Sequence, residues 1–397
     1  MMTPYELTPS DEISRRIKRL QEEMAKKEID LAFVIQNVDL FYFSGSIQRG
    51  YLFVPSEGEA VFFVEKNYQR AVGETPLKCI QTPSLKALPN LIGEHGFHGS
   101  SVGMEFDVIP VAMFNRLKTF FKHWETVDLS REIKKIRSVK SEFEISQIKK
   151  AGRIVTQVFS EVKNHLREGV TELELDGILT SIGRALGHQG LLRMRGFNHE
   201  MMNIHVLSGT SGSVVSYSDT PLAGHGLSPA IAQGSSIRMI ERDQPVVIDY
   251  GAGYNGYVTD ETRTFVIGRL KGPLEKACRV SLEILEEVES FAKAGVQPLD
   301  IYERAQERAR MEGLSPYFMG IDEGQVSFVG HGLGLEINEW PILGKGEKRA
   351  LQSGMVFALE PKFVFPELGA VGIELDYIVR ESGLERVTQF SKDVITL

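Results

Sequence analysis

PVVIDYGAGYNGYVTDETRTFVIG, residues 245–268, carries Asn255-Gly256 between two β-rich runs, the strongest short-range hairpin signal. With those two residues as the loop, Tyr254 pairs with Tyr257 and Gly251 with Asp260. Asp249 lies two residues from Gly251, so it shares a sheet face with Asp260. The two carboxylates are then diagonal neighbours about 7–8 Å apart at the backbone. Gly251 is expected to leave the space opposite Asp260 empty. Two like charges on one face beside apolar VVI repel unless a cation lies between them. The plain alternative is an edge hairpin with both aspartates in water, but aspartate is depleted in strands, and two on one face weaken that reading.

Three later segments supply what a dinuclear site still lacks. In FVGHGLGLEINEWP (328–341), His331 stands between glycines that allow close backbone approach, and a neutral imidazole suits a borderline transition metal. In GMVFALEPKF (354–363), Glu360 interrupts an apolar strand, an expensive place for an unpaired charge. Glu374 does the same in GAVGIELDYIV (369–379). A three-residue loop of 366–368 sets Glu360 and Glu374 directly opposite each other, whereas a four-residue loop without a bulge sets them on opposite faces. Asp376, on the face of Glu374, competes as a ligand. Four carboxylates and one imidazole suit two divalent ions about 3.5–4 Å apart with a bridging water or hydroxide. Such donors favour Mn2+, Co2+, Fe2+ or Zn2+ over a thiolate-type metal.

A chain of 397 residues exceeds one ordinary core and points to two domains of about 100–200 residues each. Its 42% hydrophobic and 25% charged residues are ordinary globular values. No apolar run approaches the roughly 18 residues of a membrane span. The N-terminus is polar and acid-bearing, unlike a signal or transit peptide. A formal charge of −8 argues against nucleic acid, which needs a basic footprint. Cys79 and Cys278 form neither a disulfide framework nor a zinc-ribbon spacing. A reduced, cytoplasmic protein with no membrane partner is expected.

Residues 13–28 have the apolar spacing of an amphipathic helix. The apolar runs LAFVIQ (31–36), LFYF (40–43), YLFVP (51–55) and AVFFVE (60–65) follow with turn residues between them, as in an α/β domain. The polar, basic stretch 128–141 reads as the junction, so the domains expected are 1–135 and 136–397. Ser141 and Glu144 have capping-box spacing at the head of a helix continuing to about Leu166. The second part contains an internal echo: NHLREGVTELELDGILTSIGRALG (164–187) resembles ESFAKAGVQPLDIYERAQERARMEG (289–313). Gly169, Val170, Leu173 and Gly187 match Gly295, Val296, Leu299 and Gly313 at one offset. Each copy reads as a helix end, a turn, and a second helix beginning near Thr171 or Pro298 and closed by the glycine. Chance similarity between amphipathic helices is the alternative. A duplicated α+β half places two helix pairs over one antiparallel sheet, with strands near 202–208, 245–250, 257–267, 326–330, 355–365 and 370–380.

The order of the ligand residues resembles the metallopeptidase family of methionine aminopeptidase, aminopeptidase P and prolidase: Asp249, Asp260, His331 in GHGxG, Glu360 in LEP and Glu374 in GIE. KKIRSVKSEFEISQIKKAG (134–152) is similar to the junction of prolidase-like chains, and TDETRTF (259–265) to their second-ligand strand. The resemblance extends over nearly the whole chain. It implies an α/β creatinase/prolidase-like N-terminal domain, then an α+β pita-bread catalytic domain with a pseudo-two-fold internal repeat. It implies that Asp249 chelates one metal, Asp260 and Glu374 bridge both, and His331 and Glu360 complete the other. Mn2+ or Co2+ is expected, with Zn2+ or Fe2+ as alternatives. Attack of the bridging hydroxide on a scissile carbonyl is implied, with Glu360 as proton acceptor and donor. So are a small peptide substrate with proline second and a homodimer.

Three positions depart from that family. The second histidine usual seven residues after the ligand is Asn338, a catalytic candidate that can hydrogen-bond a carbonyl or tetrahedral oxygen but cannot shuttle a proton. The histidine expected after the turn at Gly209 is Ser216, followed by Tyr217. The arginine two residues before the last glutamate is Gly372. His199, His205 and His225 lie close enough in sequence to substitute, each read first as a surface or packing residue. Two readings therefore stand beside an Xaa-Pro peptidase: a pita-bread hydrolase or lyase acting on a small molecule, and a catalytically weak family member.

Overall fold

The computed structural model describes residues 6–397 as two units, one ending at Arg137 and the other running from Ser138 to Leu397. The first contains α1 (Ser10–Lys26), β1 (Leu31–Val34), α2 (Asn37–Ser44), β2 (Gly50–Pro55), β3 (Val61–Val64), α3 (Tyr68–Glu74) and β4 (Lys78–Gln81). Then come α4 (Leu88–Glu94), β5 (Ser101–Met104), α5 (Val111–Lys118), β6 (Glu125–Asp128) and α6 (Ser130–Ser138). Ile13, Ile17, Leu20 and Met24 recur at helical spacing and form the buried stripe of α1. Six strands lie in the order β4-β3-β2-β1-β5-β6. The pairs β3–β4 and β5–β6, each joined through a helix, are parallel, because a parallel pair needs a crossover. Phe33, Phe53, Phe63 and Phe121 fill the core on one side of the sheet.

The second unit opens with α7 (Glu142–His165), headed by the expected capping box of Ser141 and Glu144. α8 (Glu172–Ala185) starts with a similar box, Thr171 with Glu174. β7 (Ile204–Ser208), β8 (Pro245–Tyr254) and β9 (Tyr257–Val266) follow, then α9 (Pro273–Phe291) and α10 (Pro298–Met311). The remaining strands are β10 (Phe328–Gly332), β11 (Glu339–Gly344), β12 (Val356–Leu359), β13 (Lys362–Phe365), β14 (Gly369–Gly372), β15 (Leu375–Val379), β16 (Leu384–Arg386) and β17 (Ile395–Thr396).

The sequence echo is a structural repeat. Helices α8 and α10 are each 14 residues long, and Gly169, Gly187, Gly295 and Gly313 all have positive φ, a conformation strained for other residues. Each helix pair covers its own strands: Val155, Val158 and Leu175 pack on β7–β9, while Val280, Ile284 and Ile301 pack with residues of β12–β15. This is the pita-bread arrangement of a duplicated α+β half.

The sheet departs from the single ladder expected. It falls into β11-β10-β12-β15-β16, β13-β14 and β17-β9-β8-β7. The breaks lie at Glu360-Pro361 and at Ile373-Glu374, where Pro361 has no N–H to donate. Register is kept across them: Leu359 pairs with Leu375 and Lys362 with Gly372, down to Phe365 with Gly369. The connecting loop is thus the three-residue alternative, and Glu360 and Glu374 stand across from each other. Glu374 N donates to Thr262 O (3.1 Å), tying this strand to the hairpin. Further along the same edge of β9, away from β8, β17 pairs in parallel through Ile395 and Thr396. Cys79 and Cys278 are free, and no helix among the described residues is long and apolar enough to cross a membrane.

Candidate metal centre

Asn255 and Gly256, both at positive φ, close the hairpin with Tyr254 opposite Tyr257, Gly251 opposite Asp260 and Asp249 opposite Thr262. Both aspartates share a face as expected. The space beside Gly251 is not empty, however: a Cβ there would lie 2.4 Å from Leu192 Cδ1. A leucine remote in sequence fills the volume, and glycine is required because the leucine is there.

His331 sits where β10 is irregularly paired with β11, a bulged geometry that re-aims a side chain. A Cβ on Gly330 would meet Ala358 O at 2.2 Å, and one on Gly332 would meet the Trp340 backbone at 2.2 Å. The glycines therefore let β10 lie close between its neighbours. His331 Nδ1 lies 3.3 Å from Gly332 O; a hydrogen bond there places the proton on Nδ1 and leaves Nε2 bare toward the carboxylates. Nε2 lies 3.9 Å from Asp260 Oδ2, 3.8 Å from Glu360 Oε1 and 3.7 Å from Glu374 Oε1.

The carboxylates are strained electrostatically. Burial, then the charges of Glu374 and Asp249, raises Asp260 well above the ordinary range. Burial pushes Glu374 up to about 8 against the pull of Lys362. Asp260 Oδ1 and Glu374 Oε1 are buried without hydrogen-bond partners, a costly state unless something cationic completes them. A divalent ion about 2.1 Å from tetrahedral donors spaces them about 3.4 Å apart. The donor atoms of Asp260, His331 and Glu374 lie within 4.8 Å of one another, a set that one ion can draw together, and Glu360 Oε1 stands beside them, 3.8 Å from His331 Nε2.

Asp249 is in different company. Lys362 Nζ donates to Asp249 Oδ2 (3.1 Å), Glu360 Oε2 (2.9 Å) and Glu374 Oε2 (2.7 Å). Desolvation pushes Asp249 up, but the charge of Lys362 holds it below the usual range. The sequence reading overlooked Lys362, although its signal was in the quoted ALEPKF: a lysine two residues beyond Glu360 in an apolar strand shares that glutamate's direction. The cation absent at Gly372 is thus present across the strand pair, at its partner Lys362.

The other expected residues take different parts. Asp376 is fully buried and its Oδ2 accepts from Asp260 N (2.9 Å) and from Thr259 Oγ1, holding the strand behind Asp260. Arg263 clamps the neighbouring strand by donating to Glu374 O (2.8 Å). Asn338, expected to face a substrate oxygen, has its amide engaged with the Arg195 backbone: Oδ1 accepts from N and Nδ2 donates to O, both at 2.8 Å. These two bonds brace that wall, and the residue lines the cavity. Ser216 donates to Ala232 O. His225 is exposed, and His199 lines the cavity. His205 pairs with Asp249 across β7–β8; burial lowers its pKa, and its neutral ring forms part of the cavity wall.

The cavity above these groups encloses about 570 Å3, with Met194, Phe197, Met201, Tyr217, Phe328, Ile337 and Ile342 among its apolar lining. An apolar pocket with a few convergent polar groups is the usual form of a small-ligand site.

Residues 146–381 match metallopeptidase family M24, and residues 16–139 match the creatinase/prolidase N-terminal domain. The chain belongs to metallopeptidase family M24, whose membership implies divalent metal ions. Its two matched regions give it the layout of the prolidase- and aminopeptidase P-like metallopeptidases. The Xaa-Pro dipeptidase of Pyrococcus furiosus is 26% identical, covering 96% of this chain and 100% of that one. The solved Xaa-Pro dipeptidase of Bacillus anthracis superimposes with a TM-score of 0.82 at 25% identity, covering 97% of this chain and 100% of its own. The X-Pro aminopeptidase of Thermotoga maritima has the same fold, with a TM-score of 0.80 at 24% identity over 96% of this chain and 99% of its own.

Proposed function

We propose that this protein is a metal-dependent peptidase that hydrolyses the bond before proline in small peptides with proline at the second position. The observation that carries this reading is the convergence of Asp260, His331 and Glu374, with their donor atoms within 4.8 Å of one another, at the floor of an apolar cavity. The oxygen-rich donor set favours Mn2+ or Co2+, with Zn2+ or Fe2+ also compatible. When bound, such an ion supplies Lewis acidity and a low-pKa water. Glu360 Oε1, facing His331, takes up and returns the proton in hydrolysis. Asn338 holds the Arg195 wall in place, and the apolar lining receives the proline ring and excludes water. The relatives named Xaa-Pro dipeptidase support this substrate class, and the same resemblance supports a homodimer, which sedimentation analysis checks.

One observation favours a second reading, a pita-bread enzyme acting on a small molecule: Lys362 stands among the carboxylates. Protein loaded with Mn2+ or Co2+ is to be assayed against Xaa-Pro and Xaa-Ala dipeptides and longer peptides with proline second, beside Asp260→Ala. Proline-selective cleavage lost in the variant is expected. Metal binding without cleavage of any peptide moves the assignment to the second reading, and absence of both overturns the two together.

A further inference from the structure

We propose that this site holds one divalent ion per chain, with the ammonium of Lys362 standing in the place of a second. The inference rests on the metal-binding reading of the site but not on the choice of substrate.

Lys362 is 1% exposed, and its Nζ has three carboxylate partners, Asp249, Glu360 and Glu374, within 3.1 Å. An ammonium has three N–H donors, so each is taken. An ion bound to those same three oxygens at about 2.1 Å would have to sit nearly where the nitrogen sits. It would also bring a double positive charge against a buried ammonium, where like charges repel more strongly than in water.

The lysine's place is built in by the backbone. Lys362 pairs with Gly372, and a Cβ on Gly372 would lie 2.7 Å from Lys362 Cα and 2.9 Å from its Cγ. The missing side chain at 372 is what makes room for the stem at 362. The stem is buried along its whole length, with only about 2% of the side chain exposed, and its tip ends at the floor of the cavity.

What remains after Lys362 has taken its oxygens is one coherent donor set. Glu360 and Glu374 each give one oxygen, Oε2, to Lys362 and turn the other, Oε1, toward His331 Nε2. Asp260 brings Oδ2 to 3.9 Å from the same Nε2, and its Oδ1, like Glu374 Oε1, is buried without a partner. Glu374, one of the two carboxylates expected to bridge a metal pair, instead has one oxygen on the ammonium and the other free for a single ion. Asp249, with its inner oxygen on Lys362, neutralises the lysine and is not a ligand.

The experiment is a metal titration of the full chain with Mn2+, read by elemental analysis after removal of free ion and by electron paramagnetic resonance. The expected wild-type result is one ion per chain with the hyperfine pattern of an isolated Mn2+. Lys362→Ala is expected to bind two ions and show the exchange-coupled signal of a pair. Lys362→Met, which keeps the stem and removes the charge, serves if the alanine variant does not fold; any second ion bound by it likewise supports the proposal. Two ions in the wild type, or one ion in every folded Lys362 variant, overturns it while leaving the metal site standing. No bound ion in the wild type, the same as in Asp260→Ala, instead removes the metal-binding reading itself.

Discussion

Substituting Gly332 by alanine tests whether the pinched geometry of β10 is what aims His331. The added Cβ would lie 2.2 Å from the Trp340 carbonyl carbon and oxygen and 2.7 Å from Pro341 N. Contacts of this kind relax near 3.5 Å, so the backbone must yield by roughly 1 Å. All three neighbours are backbone or ring atoms and cannot swing away. Overpacking of this size costs about 1–3 kcal/mol, which for a unit of this length lowers the melting temperature by on the order of 2–10 °C. The strand displaced carries His331 in the preceding position, and its Gly332 carbonyl lies 3.3 Å from the ring's Nδ1. Mn2+ affinity should therefore fall about 10–100-fold, as when a ligand's outer support is lost. Calorimetry and metal titration measure the two effects. Gly346→Ala is the control, since nothing lies within 4 Å of its added Cβ, and it should change stability by less than about 0.5 kcal/mol. A Gly332→Ala protein melting with the control and binding metal as the wild type does would refute the reasoning.

Leu192→Ala should cost about 2–5 kcal/mol in denaturant unfolding, because that side chain fills the volume beside Gly251; a loss below about 1 kcal/mol would mean the space closes by itself. Glu172→Ala should cost at least about 3 kcal/mol, since the buried carboxylate accepts from the N–H and hydroxyl of both Ser208 and Ser236 and from Ser211 Oγ. Glu172→Gln should lose less, and equal losses would argue against a role for these bonds. In the first unit, burial and then the Asp39 charge push Glu105 up to about 8. A carboxyl raised in the folded state favours folding most below its unfolded pKa of about 4.3, and that contribution disappears as pH rises through 8. Glu105→Gln should flatten the fall in stability between those limits; an unchanged pH profile counts against the assignment.

The parts of the site legible in the sequence are those governed by local rules. Asn255-Gly256 permits only a narrow set of turns, so the pairing of Gly251 with Asp260 followed at once, and with it the shared face of Asp249 and Asp260. For Glu360 and Glu374 periodicity reduced the question to loop length, and the positive φ of Glu367 and Gly369 belongs to the tight loop that decides it. The repeated glycines were readable because each ends or begins a helix in the same way. What was not legible depends on contacts between distant segments. Nothing near Gly251 announces Leu192, and nothing near Asn338 announces that the Arg195 backbone takes its amide. The single sheet expected from strand signals ignored that Pro361 and the facing glutamates interrupt the ladders. Lys362 was visible in the same stretch as Glu360, but only the strand pairing and the contacts of its ammonium show that it enters the carboxylate cluster.

Strand β17 has a consequence for handling the protein. Ile395 and Thr396 cap the outer rim of the hairpin that holds Asp260, with Leu397 N bonded to Val266 O and Gly268 N to Leu397 O. Trimming these last residues would uncover the polar backbone of Phe265–Gly268, a template on which another chain can add its own strand. Self-association of such a truncated form would then start from the strand that also carries Asp260, so a change at the chain's last residues can reach the site through β9.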